Sequence, residues 1–264
     1  MYGTCALCQT PNAHLQNSHA LPRFAYKRIR ADSDLRNPNP VQVTEGRAFQ
    51  TSKQKQKHLL CFACEQRIAK SETYLATLCQ QPDGRIPIIE HLSPSATPGE
   101  IDTVVPYEID CEKLAYFAVS VVWRADLLGG NSALGDRYRE QLRRYLLGLQ
   151  PFPAQARAML LVLDGGSLAT NMGRVLTMPI TRRFENCREH SFIICGFVFT
   201  ILLGCRLPVD SEHICLVHAD PKRIIVAPAH QSALVKAIVH AGARGIPSRA
   251  LAAWAANHRR NAAG

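Results

Sequence analysis

Leu59-Leu60-Cys61-Phe62-Ala63-Cys64 decides the fold of this chain, read together with Cys5-Ala6-Leu7-Cys8 near its start. Each stretch holds a C-x2-C pair, and 52 residues separate the pairs. A tight turn of this kind offers two thiolates to one ion, and zinc takes four such ligands in a tetrahedron. The first pair reads as a knuckle leading into a short hairpin. The second stands where a helix should begin: Cys64, Ile68, Leu75, Leu78 and Cys79 recur at helical spacing over residues 62–80. A knuckle pair joined to a pair at a helix N-terminus is a treble-clef arrangement. Cys5, Cys8, Cys61 and Cys64 are thus the candidate ligands of a structural Zn2+, with no position left open for catalysis. The competing reading is four cysteines paired by chance in a reduced core.

The rest of the composition frames that module. With 47% hydrophobic residues, the 264-residue chain can bury an ordinary core. Met1-Tyr2-Gly3-Thr4-Cys5 has neither the basic nor the apolar region of a signal peptide. The longest apolar run, residues 192–203, falls short of the roughly 20 residues that span a membrane. These features point to a soluble, cytoplasmic protein without a membrane partner. In such a compartment Cys79, Cys111, Cys187, Cys195, Cys205 and Cys215 read as small buried hydrophobes rather than disulfides. Charge is uneven. Residues 1–70 hold 11 Lys and Arg against 4 Asp and Glu, whereas the remainder holds 20 against 17. A basic excess beside a metal module is either the footprint of a phosphate-backbone binder or a solvated face.

Along the chain the expected class is α+β, in three parts: a zinc-bound module over 1–81, a linker over 82–106, and a separate α+β domain over 107–264. In the first part, residues 24–30 read as a helical turn and 31–57 as a polar loop broken at Asn37-Pro38-Asn39-Pro40. Five prolines mark 82–106, where Ile86-Pro87-Ile88-Ile89 reads as a short strand. Beyond it Asp110 is an N-cap for a helix to about residue 128, with Leu114, Phe117, Ala118, Val121 and Val122 on one face. A second helix over 133–149 sets Tyr138, Leu142, Tyr145 and Leu146 against Arg137, Arg139, Arg143 and Arg144. Those arginines serve as a phosphate or partner grip, or as a solvated face. Strand-like runs follow at 158–163, 175–179, 191–203 and 223–226, then helices at 231–241 and 247–257. Trp123 reads as core, and Arg124 as snorkelling or paired with an acid. His213, Cys215 and His218 are near enough in sequence to share a metal, though ordinary strand and loop positions account for them equally.

Between the cysteine pairs lies Asn17-Ser18-His19-Ala20-Leu21-Pro22. The order C-x2-C, Ser-His-x-x-Pro, Leu-Cys-x2-Cys-Glu resembles the HNH (ββα-metal) nuclease family, in particular uncharacterised bacterial HNH-like proteins. The resemblance covers about the first 70 residues. It implies that His19 is a general base acting on water that attacks a phosphodiester, and that a divalent ion, Mg2+ or Mn2+, stabilises the phosphate charge. Three positions depart from the family pattern. The metal-binding Asp before the histidine is Ser18. The Asn upstream of the second pair aligns with Gln56, or less well with His58. The His after that pair is Glu65. Glu65, assisted by His58, is the candidate ligand of the catalytic ion, with Glu72 a weaker one. Alternatively, Glu65 only complements a helix N-terminus, and His19 only supports the hairpin.

These features lead to an expected HNH-like metal-dependent nuclease acting on DNA or RNA. The alternative is a non-catalytic zinc module that binds nucleic acid, or a protein partner as a regulatory subunit. In either case Arg23, Lys27, Arg28, Arg30, Lys53, Lys55 and Lys57 are the candidate phosphate contacts, and residues 107–264 the candidate surface for a protein partner.

Overall fold

A computed structural model describes residues 1–31, 39–44, 47–51, 53–81, 83, 85–92, 101–129, 133–164, 171–184, 187–204 and 214–244. The helix expected over 247–257, together with Asn37, Pro38, Pro82, Pro94, Pro98, Cys205 and His213, lies outside the described residues. The fold is mixed α+β with five α-helices and two sheets among the described residues.

The N-terminal part opens with β1 (Tyr2–Gly3) and β2 (Ala13–His19), followed by α1 (Arg23–Arg30), β3 (Val41–Thr44), β4 (Arg47–Gln50), β5 (Gln56–Cys61) and α2 (Phe62–Leu78). Strands β1, β2 and β5 form a small antiparallel sheet, with Leu15 opposite Cys61 and His19 opposite Gln56. A bulge at Gln16/Asn17 shifts the register next to the Ser18-His19 pair. Helix α2 follows β5 without a loop, and Cys61 serves as its N-cap in extended backbone. Its inward positions Cys64, Ile68, Leu75 and Leu78 are those the periodicity picks out.

Two expectations are corrected here. Residues 31–57 are not all loop, because β3 and β4 form a hairpin within them. Nor is 86–89 a strand: Pro87–His91 is a 3-10 helix, with Pro87 in its first turn.

The second half comprises β6 (Asp102–Val104), α3 (Cys111–Leu127), α4 (Asp136–Leu146), β7 (Ala156–Asp164), β8 (Val175–Thr177), β9 (Ile180–Phe184), β10 (Cys187–Ile194), β11 (Phe197–Leu203), β12 (Ile224–Pro228) and α5 (Ala233–Arg244). The large sheet runs β4-β3-β8-β10-β11-β7-β12-β6, with β9 also on β10. Pairs β3–β8 and β7–β12 are parallel. Residues 191–203, expected as one run, fold as a hairpin. The chain reverses at Cys195-Gly196, both at positive φ (48° and 81°), as a two-residue primed turn needs.

Helix α3 is the centre of the molecule. Asp110 caps it by accepting from the Lys113 N–H at 3.0 Å, as its sequence position implies. The expectation of a single apolar face understates its burial: Ala115, Val119, Ser120, Trp123 and Arg124 are buried as well. A helix apolar on nearly all sides is enclosed on nearly all sides. Here α2 packs on one side and the large sheet on the other, where Phe117 meets Phe192 and Phe199. The same buried cluster runs from Leu7, Leu60 and Ile68 through Leu114 and Phe117 to Phe197 and Ile224. Polar contacts cross between the two halves too: Asp110 N–H donates to Tyr74 Oη at 2.7 Å, and Lys55 Nζ to the Gly129 carbonyl at 3.1 Å. No helix among the described residues is long and apolar enough to cross a membrane.

Candidate metal centre and adjoining cleft

The first C-x2-C pair lies in a turn closed by Gln9 N–H on the Cys5 carbonyl (2.8 Å) and Cys5 N–H on the Thr10 carbonyl (3.0 Å). Gln9 at φ 61° makes the reversal. Ala6 N–H ties this turn to β5 through the Leu59 carbonyl at 3.0 Å, and Cys61 N–H donates to Cys5 Sγ at 3.2 Å. The four sulfurs of Cys5, Cys8, Cys61 and Cys64 consequently converge, all within 4.8 Å of one another. Zinc–sulfur bonds of about 2.3 Å in a tetrahedron put sulfurs roughly 3.8 Å apart, and Cys8 Sγ to Cys61 Sγ is 3.8 Å. The cluster could therefore hold a metal ion such as zinc, and the spacing that suggested it in the sequence corresponds to this geometry.

Burial pushes the Cys5 and Cys64 thiols up. Burial acts the same way on Cys8, but hydrogen bonds with Thr10, and then with Cys5 and Cys64, together outweigh it and hold that thiol down at about 6. A divalent cation among the sulfurs would favour the thiolate at all four. Arg143 adds positive charge nearby and donates to the Leu7 carbonyl at 2.7 Å, while its Nε pairs with Glu140. Arg139 pairs with Asp126 and Asp136. These two arginines thus hold the fold together rather than forming an open phosphate grip.

Beside the knuckle, β2, α1 and α2 enclose a cleft of about 530 Å³. It brings together His19, Arg23, Glu65, Glu72, Phe62 and Arg124. Ser18, fully buried, donates its hydroxyl to Glu65 Oε1. Two of the three positions that depart from the HNH pattern are therefore in direct contact, Ser18 from the interior behind β2 and Glu65 from the lining of the cleft. Burial first, then the charges of Arg23 and Arg124, hold His19 below the usual histidine range; Glu72 and Gln54 oppose this weakly. Gln54 faces the ring, yet His19 Nδ1 and Gln54 Oε1 are both buried without a hydrogen bond of normal geometry.

Arg124 is the residue the sequence left undecided. It reaches the cleft from α3 and pairs with an acid: its Nη2 lies 2.6 Å from Glu72 Oε1, and its Nε donates to the Ser120 carbonyl at 3.2 Å. Glu72 is thereby committed to a cation of the chain itself. His58 lies exposed on β5, opposite Asn17, and is not among the residues lining the cleft. Of the basic candidates, Arg23 lines the cleft, while Lys27, Arg30, Lys53 and Lys57 are exposed and are not among its lining. Arg28 instead closes the end of α2, donating to the Ala76 carbonyl and to Cys79 Sγ, each at 2.6 Å. Lys55 is held by Gly129.

Sequence reasoning passed over Phe62 as a cleft residue and weighed Arg124 without finding its partner. A charged side chain inside an apolar helix was the available signal for the second. Of the loosely grouped His213, Cys215 and His218, Cys215 is buried and the His218 ring packs on Phe152 with centroids 5.5 Å apart. Among the described residues, the four cysteines are the sole cluster of three or more metal-ligating side chains. No family model matches the chain, and neither a curated protein nor a solved structure matches it.

Proposed function

We propose that the protein is an HNH-like metal-dependent nuclease, with the four cysteines binding a structural zinc in a treble clef. The observation that carries this reading is the hydrogen bond from buried Ser18 to Glu65, which shares with His19 one cleft next to the cysteine cluster. The HNH pattern has a metal-binding Asp where Ser18 stands and a His where Glu65 stands. A carboxylate has in effect moved from the hairpin wall to the helix wall, and the hydroxyl left behind orients it. Mg2+ is commonly held by only one or two carboxylates together with substrate phosphates, so Glu65 is an adequate anchor for such an ion. Bound there, it would stabilise negative charge on a phosphate oxygen. His19, held neutral by burial and by Arg23 and Arg124, takes a proton from water. The Arg124–Glu72 pair fixes the back of the cleft, and Arg23 faces a substrate phosphate.

The test is cleavage of plasmid DNA and of RNA with Mg2+ or Mn2+. Activity in the wild type that falls in His19→Ala and in Glu65→Ala supports the assignment. Equal activity in wild type and His19→Ala sinks it.

A second reading, a non-catalytic zinc module that binds nucleic acid or a protein partner, draws on the lack of any second ligand cluster among the described residues. It predicts salt-sensitive binding without cleavage.

A further inference from the structure

We propose that the cleft accepts single-stranded nucleic acid, with a phosphate beside Arg23 and an unpaired base stacked on Phe62. The inference rests on the reading of this cleft as a nucleic-acid site, and it specifies the strand state of the substrate.

Phe62 is the first residue of α2 and lines the cleft, yet it is 64% exposed. Its position lies off the buried stripe of Cys64, Ile68 and Leu75, so the core does not require an aromatic there. In sequence the residue stands between two cysteines of the cluster, Cys61 and Cys64, on backbone tied down by the Cys61–Cys5 contact. The other aromatic of the cleft, Phe24, already has the Arg28 guanidinium 5.5 Å from its ring centre. Among the described residues no ring or cation packs on Phe62 in this way.

The charges fit a strand that passes Phe62 and then the His19 wall. Arg124 and Glu72 neutralise each other at 2.6 Å, and the Glu65 carboxylate, bonded by the Ser18 hydroxyl, is the ligand of the proposed divalent ion. Arg23 is left facing the cleft from the first turn of α1, and exposed Lys27 lies one turn further on. Gln16 and Asn17 on β2 add amide groups that can bond a base edge. At about 530 Å³ the concavity is of small-molecule scale, suited to a nucleotide or two rather than to both backbones of a duplex. A base inside a duplex is stacked on both faces, and offering one face to Phe62 would mean unstacking it first. A single strand carries no such cost, and aromatic stacking is how sequence-tolerant single-strand sites gain affinity.

Fluorescence anisotropy with a short labelled DNA or RNA oligonucleotide and its duplex, in the His19→Ala background to suppress cleavage, tests this. The single strand should bind more tightly than the duplex. Phe62→Ala should weaken single-strand binding by about 5- to 100-fold and leave duplex binding unchanged. Phe62→Trp should retain the affinity, whereas Phe62→Leu, apolar but without a π face, should lose it as the alanine variant does. Should Phe62→Ala fail to fold, judged by zinc content and circular dichroism, the Leu and Trp variants decide. Equal binding of both strand states, or affinity indifferent to Phe62→Leu, overturns the proposal. Single-strand cleavage unaffected by Phe62→Leu would overturn it while leaving the nuclease standing. Single-strand binding that depends on Phe62, with no cleavage under any metal, would leave it standing and remove the nuclease.

Discussion

Replacing Arg124 by Met should destabilise the protein severely, and also removing Glu72 should restore much of the loss. Arg124 is 2% exposed and Glu72 19%, with 2.6 Å between Nη2 and Oε1. Arg124→Met leaves a mostly buried carboxylate without its cation, a loss of about 3–5 kcal/mol. The Ser120 carbonyl also loses its donor, roughly 1 kcal/mol more. At about 2–4 °C per kcal/mol for a chain of this length, the melting temperature should fall by about 8–24 °C. Glu72→Leu alone strands the buried guanidinium and should cost a similar amount. Arg124→Met with Glu72→Leu exchanges the pair for apolar side chains, which is often close to neutral. Denaturant unfolding of the four proteins gives the coupling energy, expected at several kcal/mol in the favourable direction. The cleft supplies an independent readout. Arg124 helps hold His19 below the usual histidine range, so the His19 resonance should titrate at higher pH in Arg124→Met. Single variants each within about 1 kcal/mol of wild type, or strictly additive losses, would refute the pairing argument.

Three further outcomes follow from other parts of the fold. Cys8→Ser or Cys61→Ser should release bound zinc and unfold the β1-β2-β5 sheet with the cleft, read as lost metal by elemental analysis and lost protection of β2 amides in hydrogen exchange. Burial holds His190 down at about 4, below its unfolded value near 6.5. The unfolded chain therefore takes up this proton first as pH falls, and up to about 3 kcal/mol of stability should vanish between pH 6.5 and 4; His190→Phe should flatten that part of a urea-stability profile. Gly196→Ala forces a side chain onto φ 81° and places a Cβ 3.1 Å from Gln80 Oε1, so it should cost about 1–2 kcal/mol by denaturant midpoint without altering zinc content.

The parts of the molecule legible in the sequence are those encoded by neighbours along the chain. Two C-x2-C turns declare their chemistry within four residues each, and α2 and α3 declare themselves by apolar spacing and, for α3, by the Asp110 cap. What escaped is encoded across distance. The β3–β4 hairpin sits in a polar segment and is a strand pair in a larger sheet because Val41 pairs with Val175. The reversal at Cys195-Gly196 hides inside an apolar run, since Cys195 is an unusual occupant of a positive-φ position. Arg124 finds Glu72 across 52 residues, and no local pattern could choose between that acid and solvent. The same applies to Ser18 and Glu65: in its own stretch Ser18 looks like a lost ligand and Glu65 like a replacement one, and their contact emerges only once β2 and α2 are side by side.

The most direct test of the central claim, that the cysteine cluster pins a cleft in which Glu65 anchors a divalent ion beside His19, is anomalous diffraction from crystals soaked in Mn2+. Measured at the zinc and manganese edges, one zinc should lie within bonding distance of Cys5, Cys8, Cys61 and Cys64, and one manganese against the Glu65 carboxylate on the His19 side of the cleft. Zinc at the cysteines with no manganese at Glu65, or manganese bound elsewhere and unaffected by Glu65→Ala, would contradict the account.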